Sequence, residues 1–519
     1  MQDRTRRSAA AVALAAFLGV LAPADARSQE PGRSNLWTPP ATLAPRLNGP
    51  AVYGVRPGRE VIHRIACTGE RPIAFAVEGL TEGLTFDAAA GVIRGKAPSR
   101  EGRHPLKITA RNRHGEASRS LALAVGPTIA LTPPMGFNDW YTWADRITQK
   151  DMLAAAKAMI DSGLADHGYE YVNVDDCWMV KPGSADPDLR GDSADPAAAI
   201  RPNRRFPDMK GLADSVHALG LKAGLYSSPG PLTCAGFAGS FGHEAADAAE
   251  FAAWGFDFLK YDWCSCEQVA VGPGLEKHQK PYRLMGELLA KQDRDIVLNL
   301  CQYGVADVWT WGASVGGQSW RTTGDLGLEP GSRLPGFYAI GLSNAKHAEH
   351  AGPGRWNDPD YILIGIVGDA GDFTRPPRKA PLTVEEQYSY MSLWCLMAAP
   401  LFYSGDVTRM DEQTLNVLGN DELIAIDQDE LGRQARVVRR TDDELVLAKP
   451  LADGGLAVGL FNLSESERTV AASWPELGVD GARTIRDCWR RRDLGSSDAR
   501  CESKLARHSV AVVRVPRGG

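Results

Sequence analysis

The chain has 519 residues, which is too long for one hydrophobic core and predicts several domains. Its composition, with 44% hydrophobic and 24% charged residues, is typical of a soluble globular protein. The formal net charge of −6 comes without a long basic run, which argues against nucleic acid as a partner.

The first residues have the features of a secretory signal peptide. Three arginines precede an apolar run over residues 9–22, and an A-x-A cleavage site ends at Ala26. We therefore predict a signal peptide over residues 1–26 and a secreted or periplasmic location. No later segment has 18 uninterrupted apolar residues, so the sequence predicts no membrane span.

A β-rich module is predicted to follow, within residues 27–127. It begins with a linker rich in Pro, Ser and Arg, and then short alternating runs such as 74–77 and 106–110 indicate strands. The segments 83–87 and 91–95 resemble a signature of immunoglobulin-like modules in bacterial exported enzymes. Because this region clusters no catalytic residue types, we expect a spacer or packing partner rather than a sugar-binding site.

The pattern changes to alternating helices and strands over residues 128–430. Apolar residues recur at helical spacing, first at Leu153, Ala156, Ile160 and Leu164 and again at Met209, Leu212, Val216 and Leu219. Gly168, Gly220 and Gly255 follow predicted helices and precede short apolar strands. Such units imply parallel strands with crossover helices. About eight strands fit, which predicts a (β/α)₈ TIM barrel; the alternative, a doubly wound sheet, lacks its Gly-rich phosphate loop.

Alternating strands return over residues 431–519 and predict a C-terminal antiparallel β-sandwich. The runs that indicate it are 445–448, 456–461 and 509–515. Cys488 and Cys501 lie in this region, and the sequence leaves open whether they pair.

Polar residues end several of the predicted barrel strands. They are Asp175, Asp176, Tyr226, Lys260, Asp262, Gln302, Arg321, Asp325 and Asp358. The carboxyl ends of barrel strands converge on one face, which is where barrel enzymes do their chemistry. A single Asp there would be read as a helix cap or turn residue. Asp at four strand ends, together with Lys and Arg, favours a common site instead.

This residue set fits sugar chemistry better than metal chemistry. None of the ten His lies in an H-x-H or H-E-x-x-H arrangement, and the sequence has no C-x-x-C. We therefore predict no metal and no cofactor. Two carboxylates that flank a glycosidic bond can serve as nucleophile and as proton donor to the leaving oxygen.

Seven motifs carry a family resemblance, and they appear in family order. They are P-P-M-G-F-N-D-W at 133–140, V-D-D-C-W at 174–178, L-K-Y-D-W-C at 259–264, S-W-R-T-T-G-D at 319–325, G-R-W-N-D-P-D at 354–360, M-A-A-P-L at 397–401 and I-A-I-D-Q-D at 424–429. With them, the stretch from Thr132 to about Val437 resembles glycoside hydrolase family 27, the α-galactosidase and α-N-acetylgalactosaminidase family.

The resemblance implies a retaining mechanism. Asp262 matches the family nucleophile and Asp325 matches the acid/base. The resemblance also implies that Asp175 and Asp176 accept hydrogen bonds from the sugar O4 and O6 hydroxyls, and that Lys260 reaches O3 and O4. A buried site that pairs with particular hydroxyls rejects an epimer lacking them.

Other positions follow from the same resemblance. It implies that Arg321 lies near the sugar O2 and that Trp140 forms an apolar wall, while Tyr226 and Asp358 line the pocket. It also implies a disulfide from Cys234 to Cys264, with Cys264 beside the bound sugar. Cys177 lacks its usual partner and is predicted to be reduced.

One departure from the family concerns the sugar 2-position. Related α-galactosidases commonly carry Glu where this chain has Gln302. Gln is larger than the small residues that admit an N-acetyl group, so galactose remains favoured. The short side chains of Asp175 and Asp176 argue against β-L-arabinopyranosidase activity, since a relative with that specificity has a longer acidic residue there.

The sequence thus predicts an exo-acting α-galactosidase whose partner is a carbohydrate carrying terminal galactosides. The alternatives are α-N-acetylgalactosaminidase, β-L-arabinopyranosidase, an isomalto-dextranase or a non-catalytic glycan-binding protein. The oligomeric state stays open.

Overall fold

The structure is a computed structural model of the chain. It describes residues 36–190, 199–327, 333–369, 372 and 374–518. The predicted signal peptide at 1–26 lies outside the described residues. The part from Trp37 onwards forms one compact unit.

Nine strands form an N-terminal β module. They are β1 Arg46–Leu47, β2 Val52–Val55, β3 Glu60–Arg64, β4 Cys67–Thr68, β5 Ala74–Glu78, β6 Leu84–Asp87, β7 Val92–Lys96, β8 Gly102–Asn112 and β9 Gly115–Val125. One sheet has the order β2-β9-β8-β5, another has β3-β7-β6, and β1 pairs with β4. Alternating apolar residues of these strands bury a core of their own. The β character is as predicted, and the immunoglobulin-like classification stays a prediction.

Eight parallel strands form the central barrel. They are β10 Met135–Asn138, β11 Tyr171–Asn173, β12 Lys222–Ser227, β13 Phe258–Asp262, β14 Val297–Cys301, β15 Ser319–Arg321, β16 Trp356–Asp358 and β19 Leu401–Tyr403. The strands from β10 to β16 pair in sequence order, and β19 pairs with β10. Ile362 closes the ring, because its N–H donates to Phe402 O at 2.8 Å and its carbonyl accepts from Ser404 N at 3.1 Å. The predicted (β/α)₈ barrel is confirmed.

Ten α-helices are present among the described residues. They are α1 Trp140–Trp143, α2 Gln149–Asp161, α3 Met209–Ala218, α4 Glu244–Trp254, α5 Glu276–Ala290, α6 Gly336–Asn344, α7 Val384–Leu396, α8 Glu412–Leu418, α9 Asp421–Asp427 and α10 Trp474–Leu477. Short 3₁₀ segments lie at Ala144–Arg146, Leu164–His167, Cys266–Gln268, Val305–Thr310, Gly312–Val315, Ala345–His350 and Val407–Arg409. Two further short strands, β17 Ile366–Val367 and β18 Arg378–Lys379, pair antiparallel with each other. In this part of the chain no helix has both the length and the apolar character needed to cross a membrane.

The helices follow local sequence signals. Thr148 begins α2 with a capping box, since its side chain accepts from Asp151 N and the Asp151 side chain accepts from Thr148 N. Gly255 ends α4 with φ +94°, a left-handed conformation that glycine adopts without a side-chain clash. The predicted face of α3 is confirmed at Met209, Leu212 and Val216.

The buried face of α2 is rotated from the predicted one. Met152, Ala155, Ala156 and Met159 are the buried residues, whereas Leu153 and Ile160 are only partly buried. The predicted spacing placed the face on the larger aliphatic residues. The face that packs against the barrel consists instead of two methionines and two alanines, and the small alanines allow the helix to lie close to its neighbours.

Eight strands form the C-terminal antiparallel β domain. They are β20 Arg436–Arg440, β21 Glu444–Pro450, β22 Leu456–Asn462, β23 Arg468–Ser473, β24 Arg483–Asp487, β25 Arg492–Ser497, β26 Arg500–Leu505 and β27 Val510–Val515. Six of them form a sheet in the order β20-β21-β22-β27-β24-β25, and β23 pairs with β26. Cys488 and Cys501 are both free and do not pair. They belong to different apolar clusters, Cys488 to the one shared with the barrel and Cys501 to the one inside the C-terminal domain.

Candidate active site

A pocket opens at the carboxyl ends of the barrel strands. The space between its walls is small, about 350 Å³ with the open mouth included. Three barrel strands (β12, β13 and β15) contribute residues to its wall, and the segments that follow β10, β11, β12, β14, β15 and β16 contribute the rest. The lining residues are Trp140, Tyr141, Asp175, Asp176, Tyr226, Cys234, Lys260, Asp262, Tyr303, Arg321, Asp325, Asp360 and Tyr361.

Most of the predicted site residues therefore meet in one place. The structure brings together Trp140, Asp175, Asp176, Tyr226, Lys260, Asp262, Arg321 and Asp325. The five lining carboxyl groups face two cationic side chains, so the pocket is acidic. The buried residues form its floor, while Trp140, Cys234, Tyr303 and Asp325 are partly or fully exposed at its mouth.

Asp175 is held by an extensive set of donors. Its carboxylate accepts from Lys260 Nζ at 2.9 and 3.2 Å, from Tyr361 OH at 2.9 Å and from Asn138 Nδ2 at 2.8 Å. Burial disfavours the ammonium charge, but the Asp175 carboxylate holds the pKa of Lys260 well above its usual range. Lys260 therefore remains a cation, and the pair is buried in the pocket floor.

Asp176 lies beside this pair in the pocket wall. Its carboxylate accepts from Cys177 N at 2.7 Å and from Ala235 N at 3.0 Å. Burial raises the pKa of Asp176 to about 7, against the backbone donors that lower it. Near neutral pH this carboxyl group can thus act as either an acceptor or a donor of hydrogen bonds.

Asp262, the predicted nucleophile, ends strand β13 and is buried. Two tyrosines approach its carboxylate: Tyr226 OH donates to Oδ2 at 3.2 Å and Tyr303 OH donates to Oδ1 at 2.6 Å. Burial raises the pKa of Asp262, while the charge of Lys260 and the hydrogen bond from Tyr303 oppose that rise. These two neighbours favour the ionised form that a nucleophile requires.

Asp325, the predicted acid/base, lies four residues beyond the end of β15. Its side chain is 64% exposed and accepts from Arg321 Nη2 at 3.2 Å. The same guanidinium contacts Asp360 Oδ2 at 2.9 Å. Burial disfavours the Arg321 charge, but Asp360 and Asp325 hold its pKa well above the usual range. Arg321 therefore remains a cation between the pocket wall and the pocket mouth.

Asp360 is a pocket residue that sequence reasoning missed. It belongs to the same G-R-W-N-D-P-D motif as Asp358, two positions further along, and its φ of +92° turns it towards the pocket. Burial raises its pKa to about 6, although the Arg321 charge opposes this. Tyr303 and Tyr361 were also missed. Asp360, Tyr303 and Tyr361 are all polar residues that follow a predicted strand within a few positions, and this placement could have identified them.

Three predicted residues do not line the pocket. Asp358 accepts from Asn299 Nδ2 at 2.9 Å and from Asp360 N at 2.9 Å, so it holds the loop that presents Asp360. Gln302 is completely buried, and neither of its amide atoms has a hydrogen-bond partner among the described residues. Cys264 is buried, and its Sγ lies 3.4 Å from the hydroxyl of the lining residue Tyr226.

The predicted disulfide joins Cys234 to Cys264, with their Cα atoms 4.9 Å apart. Cys177 is free and buried, as predicted. Within the described ranges, the grouping of three potential metal ligands consists of Asp262 and these two bonded cysteines. Since the sulfurs are bonded to each other and are not thiolates, this grouping does not offer a metal site.

Comparisons with known proteins agree with this architecture. A family model described as alpha galactosidase A matches residues 132–429, and one described as alpha galactosidase C-terminal beta sandwich domain matches residues 441–515. An α-galactosidase from Cyamopsis tetragonoloba is 38% identical over 394 residues, which are 75% of this chain and 87% of the relative.

Solved structures give the same result. A Bacteroides fragilis protein has a TM-score of 0.82 and 35% identity, over 92% of this chain and 98% of its own. α-Galactosidase I from Mortierella vinacea has a TM-score of 0.66 and 29% identity, over 74% of this chain and 97% of its own.

Proposed function

The chain belongs to the α-galactosidase family of glycoside hydrolases, and from this premise we propose that it removes terminal α-linked galactose from oligosaccharides or polysaccharides. The observation that carries the proposal is that Asp262 and Asp325 line the same pocket. A small pocket, closed at its floor by buried side chains, favours cleavage at the end of a sugar chain.

We propose a double displacement. Asp262 attacks the anomeric carbon as Asp325 protonates the leaving oxygen, which gives a glycosyl-aspartate and a free alcohol. Asp325 then removes a proton from water, whose oxygen attacks the anomeric carbon and releases Asp262. The product keeps the α configuration because the carbon is inverted twice. The exposure of Asp325 supports its role, since both the leaving group and the water arrive from the mouth.

Selectivity for galactose is assigned to the buried side of the pocket. Asp175 offers an acceptor, Lys260 a donor and Asp176 either of the two, and together they suit an axial O4 and the O6 hydroxyl. A sugar that lacks a matching hydroxyl leaves these buried polar groups unpaired, at a cost of about 1–3 kcal/mol for each group.

The test compares nitrophenyl α-galactoside, α-N-acetylgalactosaminide and β-L-arabinopyranoside as substrates of the purified chain. We expect the galactoside to have the highest kcat/KM, by about 10²-fold or more. If the chain prefers either of the other two glycosides, galactose is not its preferred substrate. If it cleaves none of the three and instead releases isomaltosaccharides from dextran, it is an isomalto-dextranase. Sugar binding without any hydrolysis would favour a glycan-binding protein.

We also propose that the chain is exported. The support is the sequence alone: the basic start, the apolar run and the cleavage site that ends at Ala26. Expression of the full chain, fractionation of the culture and determination of the mature N-terminus test this directly. A protein that keeps residues 1–26 and remains inside the cell would contradict the proposal.

A further inference from the structure

Both oxygens of the proposed nucleophile are already occupied by tyrosine hydroxyls. Tyr226 OH lies 3.2 Å from Asp262 Oδ2, and Tyr303 OH lies 2.6 Å from Asp262 Oδ1. Burial raises the pKa of each tyrosine, so both hydroxyls keep their protons and donate. Hydrogen bonds to a carboxylate are the strong, charge-assisted kind.

This arrangement stabilises the carboxylate but obstructs its attack. The anomeric carbon must approach one carboxylate oxygen to within bonding distance, and the lone pair that attacks cannot be engaged by a hydroxyl. Each carboxylate oxygen has a second lone pair, so a single hydrogen bond does not by itself block attack. Both hydroxyls line the pocket, however, so the entering ring competes with them for the space in front of Asp262, and one of them gives way. The surroundings of the two side chains identify which one.

Tyr226 is poorly placed to move. It lies in strand β12 and is 1% exposed, and its hydroxyl also contacts Cys264 Sγ at 3.4 Å. The ring supports the Lys260 ammonium, 5.1 Å above its centre. A rotation of Tyr226 would disturb the barrel interior and the Lys260 position together.

Tyr303 is placed to move. It is only partly buried, lies in the loop after β14 and lines the pocket mouth. Its φ is +63°, and Ala306 and Asp307 in the same loop have φ values of +56° and +52°. Left-handed conformations at residues other than glycine cost roughly 1 kcal/mol or more each, so the loop holds an unfavourable backbone. Its hydroxyl lies 3.5 Å from Cys234 Sγ and its ring centre lies 6.0 Å from Arg321 Cζ, and both contacts are given up when Tyr303 moves.

We propose that Tyr303 is a positioning residue that holds Asp262 Oδ1 in the empty pocket and leaves it when the sugar binds, so that Oδ1 is the oxygen that attacks. This role rests on the proposed function, in which Asp262 is the nucleophile of a glycosidase. Tyr226 stays bonded to Oδ2 throughout and orients the carboxylate. The bond from Tyr303 therefore belongs to the free enzyme and not to the substrate complex.

Steady-state kinetics separate these two states. The pH dependence of kcat/KM reports ionisation of the free enzyme, and that of kcat reports ionisation of the complex. In Tyr303→Phe the free Asp262 loses a donor that favours its charged form, so its pKa rises. We expect the acidic limb of kcat/KM to move upward by about one pH unit, while the acidic limb of kcat stays in place. KM at high pH should fall several-fold, because no hydrogen bond must be broken.

Several other groups act on Asp262 and stay in place in this variant. The titratable groups around it are Asp175, Tyr226, Lys260, Tyr282, Cys301, Tyr303 and Asp325. Only the Tyr303 hydroxyl is removed. The matched control is Tyr226→Phe, which deletes a hydroxyl from the other oxygen and should move both limbs.

The outcomes are distinct. Equal shifts of both limbs in Tyr303→Phe would mean that the bond persists in the complex, and an absence of any shift would mean that it does not hold Asp262; either result overturns the proposal. Tyr303→Leu, which also lacks the hydroxyl, replaces Tyr303→Phe if thermal unfolding shows a misfolded protein. Wild-type enzyme that hydrolyses no glycoside would instead overturn the proposed function, and this role with it.

Discussion

At the scale of single residues, Asp262 carries the covalent step, and its removal is the most direct test of the mechanism. Asp262→Ala should lower kcat by roughly 10⁴-fold or more, because no other side chain replaces a lost nucleophile. The cavity left in the pocket floor has room for a small anion. Azide should therefore restore turnover and form a galactosyl azide of inverted configuration, since it displaces the leaving group in one step. The anomeric configuration is read by NMR.

Asp161 provides the matched control for that experiment. It is an exposed aspartate at the end of α2, and it does not line the pocket. Asp161→Ala should keep wild-type kcat and show no response to azide. Normal turnover by Asp262→Ala, or a retained azide product, would remove Asp262 from the nucleophile role.

The sequence located the site well where a residue ends a strand and less well where a loop intervenes. Lys260 and Asp262 lie within strand β13, so the pattern of apolar runs fixes their direction. Tyr303 and Asp360 lie two residues beyond a strand, where an unusual positive φ decides which side chain enters the pocket. No periodicity in the sequence encodes that backbone angle.

At the scale of elements, a disulfide joins the loops that follow β12 and β13. Cys234 and Cys264 are 30 residues apart, and a cross-link closing a loop of that length stabilises a fold by about 3–4 kcal/mol. Cys264 follows Asp262 by two residues, so the link also restrains the nucleophile. Reduction, or the double change Cys234→Ala with Cys264→Ala, should lower the thermal midpoint and reduce kcat. Cys234 is exposed, which gives a reductant access.

The double variant also shows whether the reductant acts through this disulfide. Since the other described cysteines are free and buried, the reductant should have no further effect once this disulfide is gone. Unchanged stability and activity in the reduced wild-type protein would show that the disulfide restrains neither loop.

The order of the strands could be predicted from the sequence, whereas the contact that closes the barrel could not. Helix, glycine and short apolar strand recur often enough to predict the parallel strands in their correct order. The last contact of the ring is made by Ile362, outside any regular strand and four residues after β16. The chain turns at Asp360 before it reaches that position. A turn set by buried hydrogen bonds leaves no hydrophobic period to detect.

At the scale of the whole molecule, the N-terminal β module covers the barrel end opposite the pocket. The cavity between them is lined by module residues such as Tyr53 and Glu60 and by the first residues of barrel strands. The ammonium group of Lys222, the first residue of β12, lies 4.6 Å from the centre of the Tyr53 ring. The amino ends of barrel strands serve stability rather than chemistry. The predicted role as a packing partner is therefore favoured over that of a sugar-binding module.

Arg56 joins this module to the barrel and allows that role to be measured. Its backbone N–H donates to Asp295 at 2.8 Å, and its guanidinium pairs with Asp295 and donates to Arg294 O at 2.9 Å. Arg56→Ala should lower the free energy of unfolding by about 2 kcal/mol, because it leaves partly buried acceptors unpaired, with KM unchanged. Arg111→Ala removes an exposed pair within the module and should cost less than about 1 kcal/mol.

Chemical denaturation should show one transition in each variant, because module and barrel share an interface. A separate early transition of the module would contradict this coupling.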